Sequence, residues 1–313
     1  MSASVLFDAP GPRARALTTV FNVLGALVLL ALAGWVAYLL HLKGQWSWTL
    51  WGPVFGSEFW LYYVWPGLQN TLRSAAFATV GAVLFGVIFG MGRLSHNRVV
   101  KAVSGAVVEF FRAVPVLLLM IFLNIFLART MPWIEDRLFM AVVAALVLYN
   151  GSVIAELVRS GVRNLPKGQG EAGLAVGLTP GQTLRSVQLP QALVAMLPAL
   201  LSQLVVVLKD SALGQILGYA ELLRSAQIFG SAPPINSLQA LTVAAVLFII
   251  INLLLTLLAN RLARRLSSRG RPTLAPAAAG AAAVGIGATG GAAPIVGGAA
   301  DGDGGGGDGA GES

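Results

Sequence analysis

The chain has 313 residues, 56% hydrophobic and only 11% charged, with a mean hydropathy of +0.77. A water-soluble domain carries about 25% charged residues, so this composition excludes one and identifies an integral membrane protein. With no cysteine, a disulfide framework, a thiolate metal site and a cysteine nucleophile are excluded too.

Six apolar runs are long enough, at roughly 20 residues each, to cross a bilayer core as helices. They fall near Leu17–Leu40, Leu68–Met91, Val107–Ala128, Phe139–Val158, Ala192–Leu208 and Leu238–Leu258. All contain glycine, alanine or polar positions that let helices approach closely where lipid supplies no hydrophobic drive. The expected fold is an all-α membrane bundle. In the first run, hydrophobicity continues through Trp35, Tyr38 and Leu40, beyond a signal-peptide core, so it reads as an uncleaved span.

Basic residues give the orientation, because short cytoplasmic loops hold the Lys/Arg excess. With the N-terminus inside, Arg13, Arg15, Arg93, Arg98, Lys101, Arg159, Arg163, Lys167, Arg185, Arg261, Arg264, Arg265, Arg269 and Arg271 are cytoplasmic. Lys43, Arg73, Arg129, Arg137, Lys209 and Arg224 are left outside. Topology thus accounts for the net charge of +8 without nucleic acid, and both termini are expected in the cytoplasm of a plasma-membrane protein. Beyond Pro272 the Ala/Gly-rich, finally acidic segment cannot bury enough surface to fold and is expected to be a disordered tail.

Between the fourth and fifth runs lies "RNLPKGQGEAGLAVGLTPGQTLRSVQLPQ", Arg163–Gln191. Pro166 suits the first turn of a short helix, and Gly177 can end that helix in a left-handed conformation. Thr179-Pro180-Gly181-Gln182 is a capping box that starts a second short helix, and Pro190 marks a break before the fifth span. A helix–turn–helix across the cytoplasmic mouth is predicted. Glu171, Ala172, Gly173, Ala175 and Gly177 give it a carboxylate beside small surfaces, the character of a plug for a groove on another protein.

Here the chain resembles the membrane permease subunits of ABC importers for polar amino acids. The resemblance is carried by Glu171-Ala172-Gly173, Gly177 and Val187-Gln188-Leu189-Pro190, by "EFFRAVPVLLL" (Glu109–Leu119) and by "LKDSAL" (Leu208–Leu213). It covers about Leu68 to Leu262, while "VLFDAPGPRAR" (Val5–Arg15) before an extra helix is similar to actinobacterial glutamate-uptake permeases. It implies a five-helix permease core of the type I importer kind over 68–262, preceded by a cytoplasmic N-terminus (1–16) and an accessory helix with a Trp-rich outer loop (17–67). Residues 263–313 form the tail. It also implies a second permease subunit, identical or homologous, an extracytoplasmic solute-binding protein, and a cytoplasmic ATPase dimer reached through loop 163–191. Lys167, Gly168, Glu171, Ala172, Gly173 and Gly177 are the expected ATPase-coupling residues. Gly173 stands where the family usually has Ala, at a cost of about 1 kcal/mol of helix stability, which would leave the plug more pliable.

No Gly-x-x-x-x-Gly-Lys-Ser/Thr loop occurs, so ATP and Mg belong to the partner ATPase and no cofactor is expected on this chain. His41 and His96, the only histidines, fall on opposite sides in this topology, so no metal site is expected. A secondary transporter or channel working without an ATPase is the alternative, and it lacks support from a second copy of the Tyr149–Pro190 signature.

Ionisable and amide side chains within spans are the substrate candidates, and the resemblance to glutamate-uptake permeases implies glutamate as the favoured amino acid. Arg112 can clamp an α-carboxylate with Glu109 accepting from the ammonium, or the two can neutralise each other near the interface. Gln203 and Ser202 can meet substrate or hydrogen-bond a neighbouring helix. Glu156 and Arg159, three residues apart, are expected to anchor the end of the fourth span.

Overall fold

Small side chains decide which faces of these apolar runs meet. The computed structural model describes residues 11–233 and 236–268, with the side chains of 12 and 263–268 excepted, all within one compact unit, residues 1–270. The tail beyond Pro272, Arg269, Arg271 and Val5–Pro10 lie outside the described residues.

Eleven α-helices follow in order among the described residues: α1 (Pro12–Leu42), α2 (Trp48–Phe55), α3 (Trp65–Arg93), α4 (Arg98–Ala113), α5 (Val116–Thr130), α6 (Arg137–Arg163), α7 (Lys167–Ala175), α8 (Pro180–Thr183), α9 (Leu189–Ser211), α10 (Leu222–Ser231) and α11 (Ser237–Ser268). No strand occurs among them. We call the end holding α7 and α8 the loop end, and the other the far end.

The α3–α6 pair is the spine of the bundle. The buried positions of α3 are all small: Gly67, Thr71, Ser74, Ala75, Ala78, Ala82, Gly86 and Gly90. Spaced three or four apart, they form one stripe along the helix, against which α6 lays Ile154, Ala155 and Val158. At Gly90 the approach is so close that a Cβ would lie 2.7 Å from Val158 Cβ and 2.9 Å from the Ala155 carbonyl oxygen. Glycine is required there by the neighbouring backbone.

The third expected span is corrected. Val107–Ala128 is not one helix: α4 ends at Ala113, α5 starts at Val116, and their axes differ by 101°. Pro115 has no N–H to continue the helix and holds Val114 extended, at φ −85° and ψ 128°. On α4, Val99, Val103 and Phe110 are exposed while Ser104 and Val108 are buried, so its apolar outer stripe suits the membrane surface. The fifteen residues of α5 rise only about 22 Å, and bury Leu119 and Met120 in the central core with Val142, Leu146, Val207 and Tyr219.

The Trp-rich stretch Lys43–Trp65 is likewise more than a loop. It folds into α2 and a π-helical turn over Phe59–Val64, and Val54, Phe59 and Val64 are buried with Leu222, Ala226, Ala240 and Ala244. With Trp51 and Tyr63 beside them, these side chains fill the groove between α10 and α11. The Gln45 carbonyl accepts from Trp51 Nε1 and Gln239 Nε2, both at 2.9 Å. By contrast, α1 has no buried residue from Arg13 to Leu42. Trp46 Nε1 donates to the Ala37 carbonyl at 3.2 Å, which ties the far end of the helix to its own connecting segment.

At the far end α10 is pinned to α3. Leu222 N–H donates to Thr71 Oγ1 at 3.0 Å, Asn70 Nδ2 to the Ala220 carbonyl at 2.8 Å, and Tyr219 OH to the Asn70 carbonyl at 3.1 Å. Glu221, fully buried, caps α10 by accepting from the N–H groups of Leu223 and Arg224. Burial pushes its carboxyl up to about 7, against the opposing pull of those two donors.

Candidate functional site: the loop end and the bundle interior

Helix α7 ends as its sequence demands. Gly177 takes φ +85°, with Leu178 N–H donating to the Gly173 carbonyl at 3.1 Å and Gly177 N–H to the Leu174 carbonyl at 3.0 Å. Those two bonds are the Schellman pattern that satisfies otherwise unpaired carbonyls. Thr179 N–H then donates to Gln182 Oε1 at 2.8 Å and Gln182 N–H to Thr179 Oγ1 at 3.4 Å, the capping box read from the sequence.

The expected break at Pro190 is a correction of a different kind. Instead of stopping, α8 runs into α9 through a π-helical turn at Leu184–Gln188, so that Pro180–Leu217 is one continuous apolar helical stretch. Widening the turn is how the chain passes a proline that has no N–H to donate. Helix α8 is therefore the loop-end start of one continuous helical rod.

Gly173 is also corrected from a flexible point to a packing point. It is buried, and a Cβ there would lie 2.8 Å from Thr183 Oγ1 and 2.5 Å from Thr183 Cγ2. Alanine at 173 is therefore expected to destabilise the α7–α8 contact: overpacking costs about 1–3 kcal/mol, more than the about 1 kcal/mol helix propensity returns. Gly173→Ala should raise proteolytic cleavage of the loop, and adding Thr183→Ala, which removes both crowding atoms, should restore protection.

Burying Gly173 turns the opposite face outward. Lys167, Glu171 and Ala175 are exposed on it, four residues apart and so aligned, with Leu174 52% and Val176 77% exposed. Ala172 and Gly177 are exposed beside them, and Gly168 has open space around it. Leu174 and Val176 were not among the candidates read from the sequence. Large apolar side chains at the solvent end of a short polar loop are the signal that marks them.

In the interior, Gln203 of α9 donates from Nε2 to Asn150 Oδ1 of α6 at 2.7 Å. Asn150 is fully buried. Two turns along α9, Asp210 interacts with the same amide. Gln203, Asn150 and Asp210 thus form a polar track in the bundle, of which Gln203 is the substrate candidate from sequence, while Asp210 reads from sequence as a gate-forming or snorkelling pair with Lys209 as readily as a ligand contact. Asn150 lies within the apolar run "LVLYNGSV", where a lone amide is itself a signal. Ser202 bonds back to the Pro198 carbonyl at 2.9 Å and takes no part.

Glu109 and Arg112 lie elsewhere, in a charge cluster at the loop end. Arg93 Nη2 meets Glu109 Oε1 at 2.8 Å and its Nη1 meets Glu156 Oε2 at 3.1 Å. Arg112 Nη1 lies 3.9 Å from Glu109 and 3.8 Å from Glu156. Arg159 clasps Glu156 through Nε, at 3.0 Å to Oε2, and through Nη2 to Oε1. The structure does not bring these residues together with Gln203.

Residues 82–268 match the family described as "Binding-protein-dependent transport system inner membrane component". The chain is 46% identical to the glutamate transport system permease protein GluD of Corynebacterium glutamicum over 67% of this chain and 77% of that protein. It is 32% identical to the probable glutamine ABC transporter permease protein GlnP of Bacillus subtilis, over 61% and 88% respectively. Among solved structures, an amino acid ABC transporter crystallised with histidines superposes with a TM-score of 0.58 at 28% identity, over 64% of this chain and 92% of that one. The family match spans more than half the chain and coincides with the helices that carry loop 163–191, the polar track and the charge cluster: this protein belongs to the inner-membrane permease components of binding-protein-dependent ABC importers, in their polar amino-acid branch.

Proposed function

We propose that this permease imports an acidic amino acid, glutamate, across the plasma membrane, and that loop 163–191 is where a cytoplasmic ATPase dimer docks. The carrying observation is the continuity of Pro180–Leu217: α7 sits on α8 through Gly173, and α8 leads without a break to Gln203. Lys167, Gly168, Glu171, Ala172, Ala175 and Gly177, with Leu174 and Val176, form the docking face, and Gly173 holds it on the rod. The loop end is cytoplasmic in this reading, which places both termini inside. All seven tryptophans, at 35, 46, 48, 51, 60, 65 and 133, then lie toward the outer interface, where indoles favour the headgroup level.

A second permease subunit completes the pathway, and a solute-binding protein delivers substrate at the far end. ATP and Mg are consumed by the ATPase, whose closure tilts the rod and opens the interior outward. Gln203 and Asn150 line the substrate path, where neutral amides can donate to a carboxylate or accept from an ammonium. Glu109 and Arg112 serve the loop-end cluster.

The test is uptake of radiolabelled glutamate by proteoliposomes holding the complete transporter. ATP-dependent uptake displaced by unlabelled glutamate, and little by arginine or histidine, is expected. Uptake by this chain without ATPase subunits would sink the importer reading, and displacement by a cationic amino acid would sink the substrate.

A further inference from the structure

Three helices meet in the loop-end charge cluster, and they differ in what they connect. Arg93 is the last residue of α3, held rigidly to α6 by the glycine stripe. Glu156 and Arg159 stand in the final two turns of α6, which ends at Arg163 only three residues before α7 begins. Glu109 and Arg112 occupy the last turn of α4, directly before the 101° bend into α5.

Glu156 is the only member that touches all three guanidinium groups: Arg93, Arg112 and Arg159. Its side chain is 24% exposed and that of Arg93 14%, whereas Glu109 is 60% exposed. The better shielded pair therefore holds the cluster, since exposed pairs contribute little. On the other side, α4 touches α3 where Ser104 lies over Gly92, and in its last turn Phe111 packs against Phe85 and the central core while Glu109 and Arg112 tie the same turn by charge to α3 and α6.

We propose that Glu156 is a positioning residue, the hub of a charge latch that transmits movement of loop 163–191 to the bent pair α4–α5. It rests on the reading of that loop as the ATPase docking element. A displaced α7 pulls on the end of α6 and on Arg159. Glu156, shared between Arg159 and Arg112, passes the displacement to the end of α4, and the non-helical Val114–Pro115 joint turns it into a swing of α5, whose Leu119 and Met120 sit in the central core. Three cations against two carboxylates leave Arg112 the most weakly held member, at 3.8 and 3.9 Å, so it is the contact able to open and close.

The test uses the complete transporter in proteoliposomes, with Glu156→Gln, Glu156→Asp and, as a control, Glu135→Gln at an exposed carboxylate outside the described ion pairs. Glu156→Gln should lower uptake per assembled complex by about ten-fold, the scale of removing one partner from a half-shielded charge network, while ATPase subunits still co-purify and hydrolyse ATP. Glu156→Asp, with the charge one methylene back, should fall between it and wild type, and the control should match wild type. Because the chain has no cysteine, spin labels at Lys101→Cys on α4 and Leu258→Cys on α11 report the output directly. Their separation should change on ATP binding in the parent and stop changing with Glu156→Gln. Uptake that falls only in proportion to assembly in both variants, or a label separation that still responds in Glu156→Gln, overturns the latch. Failure of the unmutated chain to co-purify with the ATPase would instead overturn the docking reading, before the latch is reached.

Discussion

Replacing Gly90 by valine is expected to cost the bundle a large part of its stability. The new Cβ falls 2.7 Å from Val158 Cβ and 2.9 Å from a backbone oxygen of α6, so neither a rotamer change nor a shift of one side chain relieves it. Helices α3 and α6 must separate, and with them the stripe from Ala78 to Gly90. Overpacking typically costs about 1–3 kcal/mol, occasionally more, and contact with a backbone oxygen of α6 as well as with Val158 places this case at the upper end. Detergent-solubilised Gly90→Val should unfold at a clearly lower temperature than wild type. Gly25→Val in α1, where a Cβ meets nothing within 4 Å, should leave the melting temperature unchanged, and equal effects of the two would show that α3 and α6 do not pack through this seam.

That stripe shows what the sequence made legible. Hydropathy alone locates long spans but cannot orient them, because α3 between Arg73 and Arg93 carries no charged residue on any face. The residues that break the monotony, Ala78, Ala82, Gly86 and Gly90, mark the buried face by size. The bend in α4–α5 was also written in the chain, as Arg98, Lys101, Glu109 and Arg112 before Pro115, but a window that starts at Val107 averages the charged helix into the apolar one.

Other features depend on which residues meet across the fold. Nothing local to Gly173 announces Thr183 as its neighbour, and a rule drawn from helix propensity misjudges it. Gln203 stands out as an amide in an apolar run, yet Asn150 and Asp210 gain meaning only when α6 and α9 pack antiparallel. Glu109 and Arg112 invite pairing by their spacing of three. Arg93 and Glu156, which hold them, come from two other helices.

Charge reversal at Glu171 is expected to separate docking from folding. The carboxylate lies on the exposed face of α7, four residues from Lys167, and no ion pair joins them among the described residues. Gly173 is turned inward and the Schellman bonds and capping box lie beyond it, so Glu171→Lys touches none of the contacts that form the loop. Substitutions at such a surface position usually change folding stability by no more than about 0.5 kcal/mol, and insertion and expression should be unaffected. At a docked interface the outcome differs, because a lysine there replaces an attractive contact with repulsion where solvent is partly excluded, and association should weaken by about ten-fold or more. Exposed Leu174 and Val176 beside it would supply apolar contact that survives the change, so the complex should assemble at high subunit concentration and uncouple rather than vanish. Co-purification of the ATPase, its hydrolysis rate and glutamate uptake, measured on one preparation, check this. Uptake should fall more steeply than hydrolysis, and an opposite charge change in the ATPase groove should return part of it. Three wild-type values from Glu171→Lys would mean that α7 is an ordinary solvated loop helix, and that the rod beginning at α8 is driven from somewhere else.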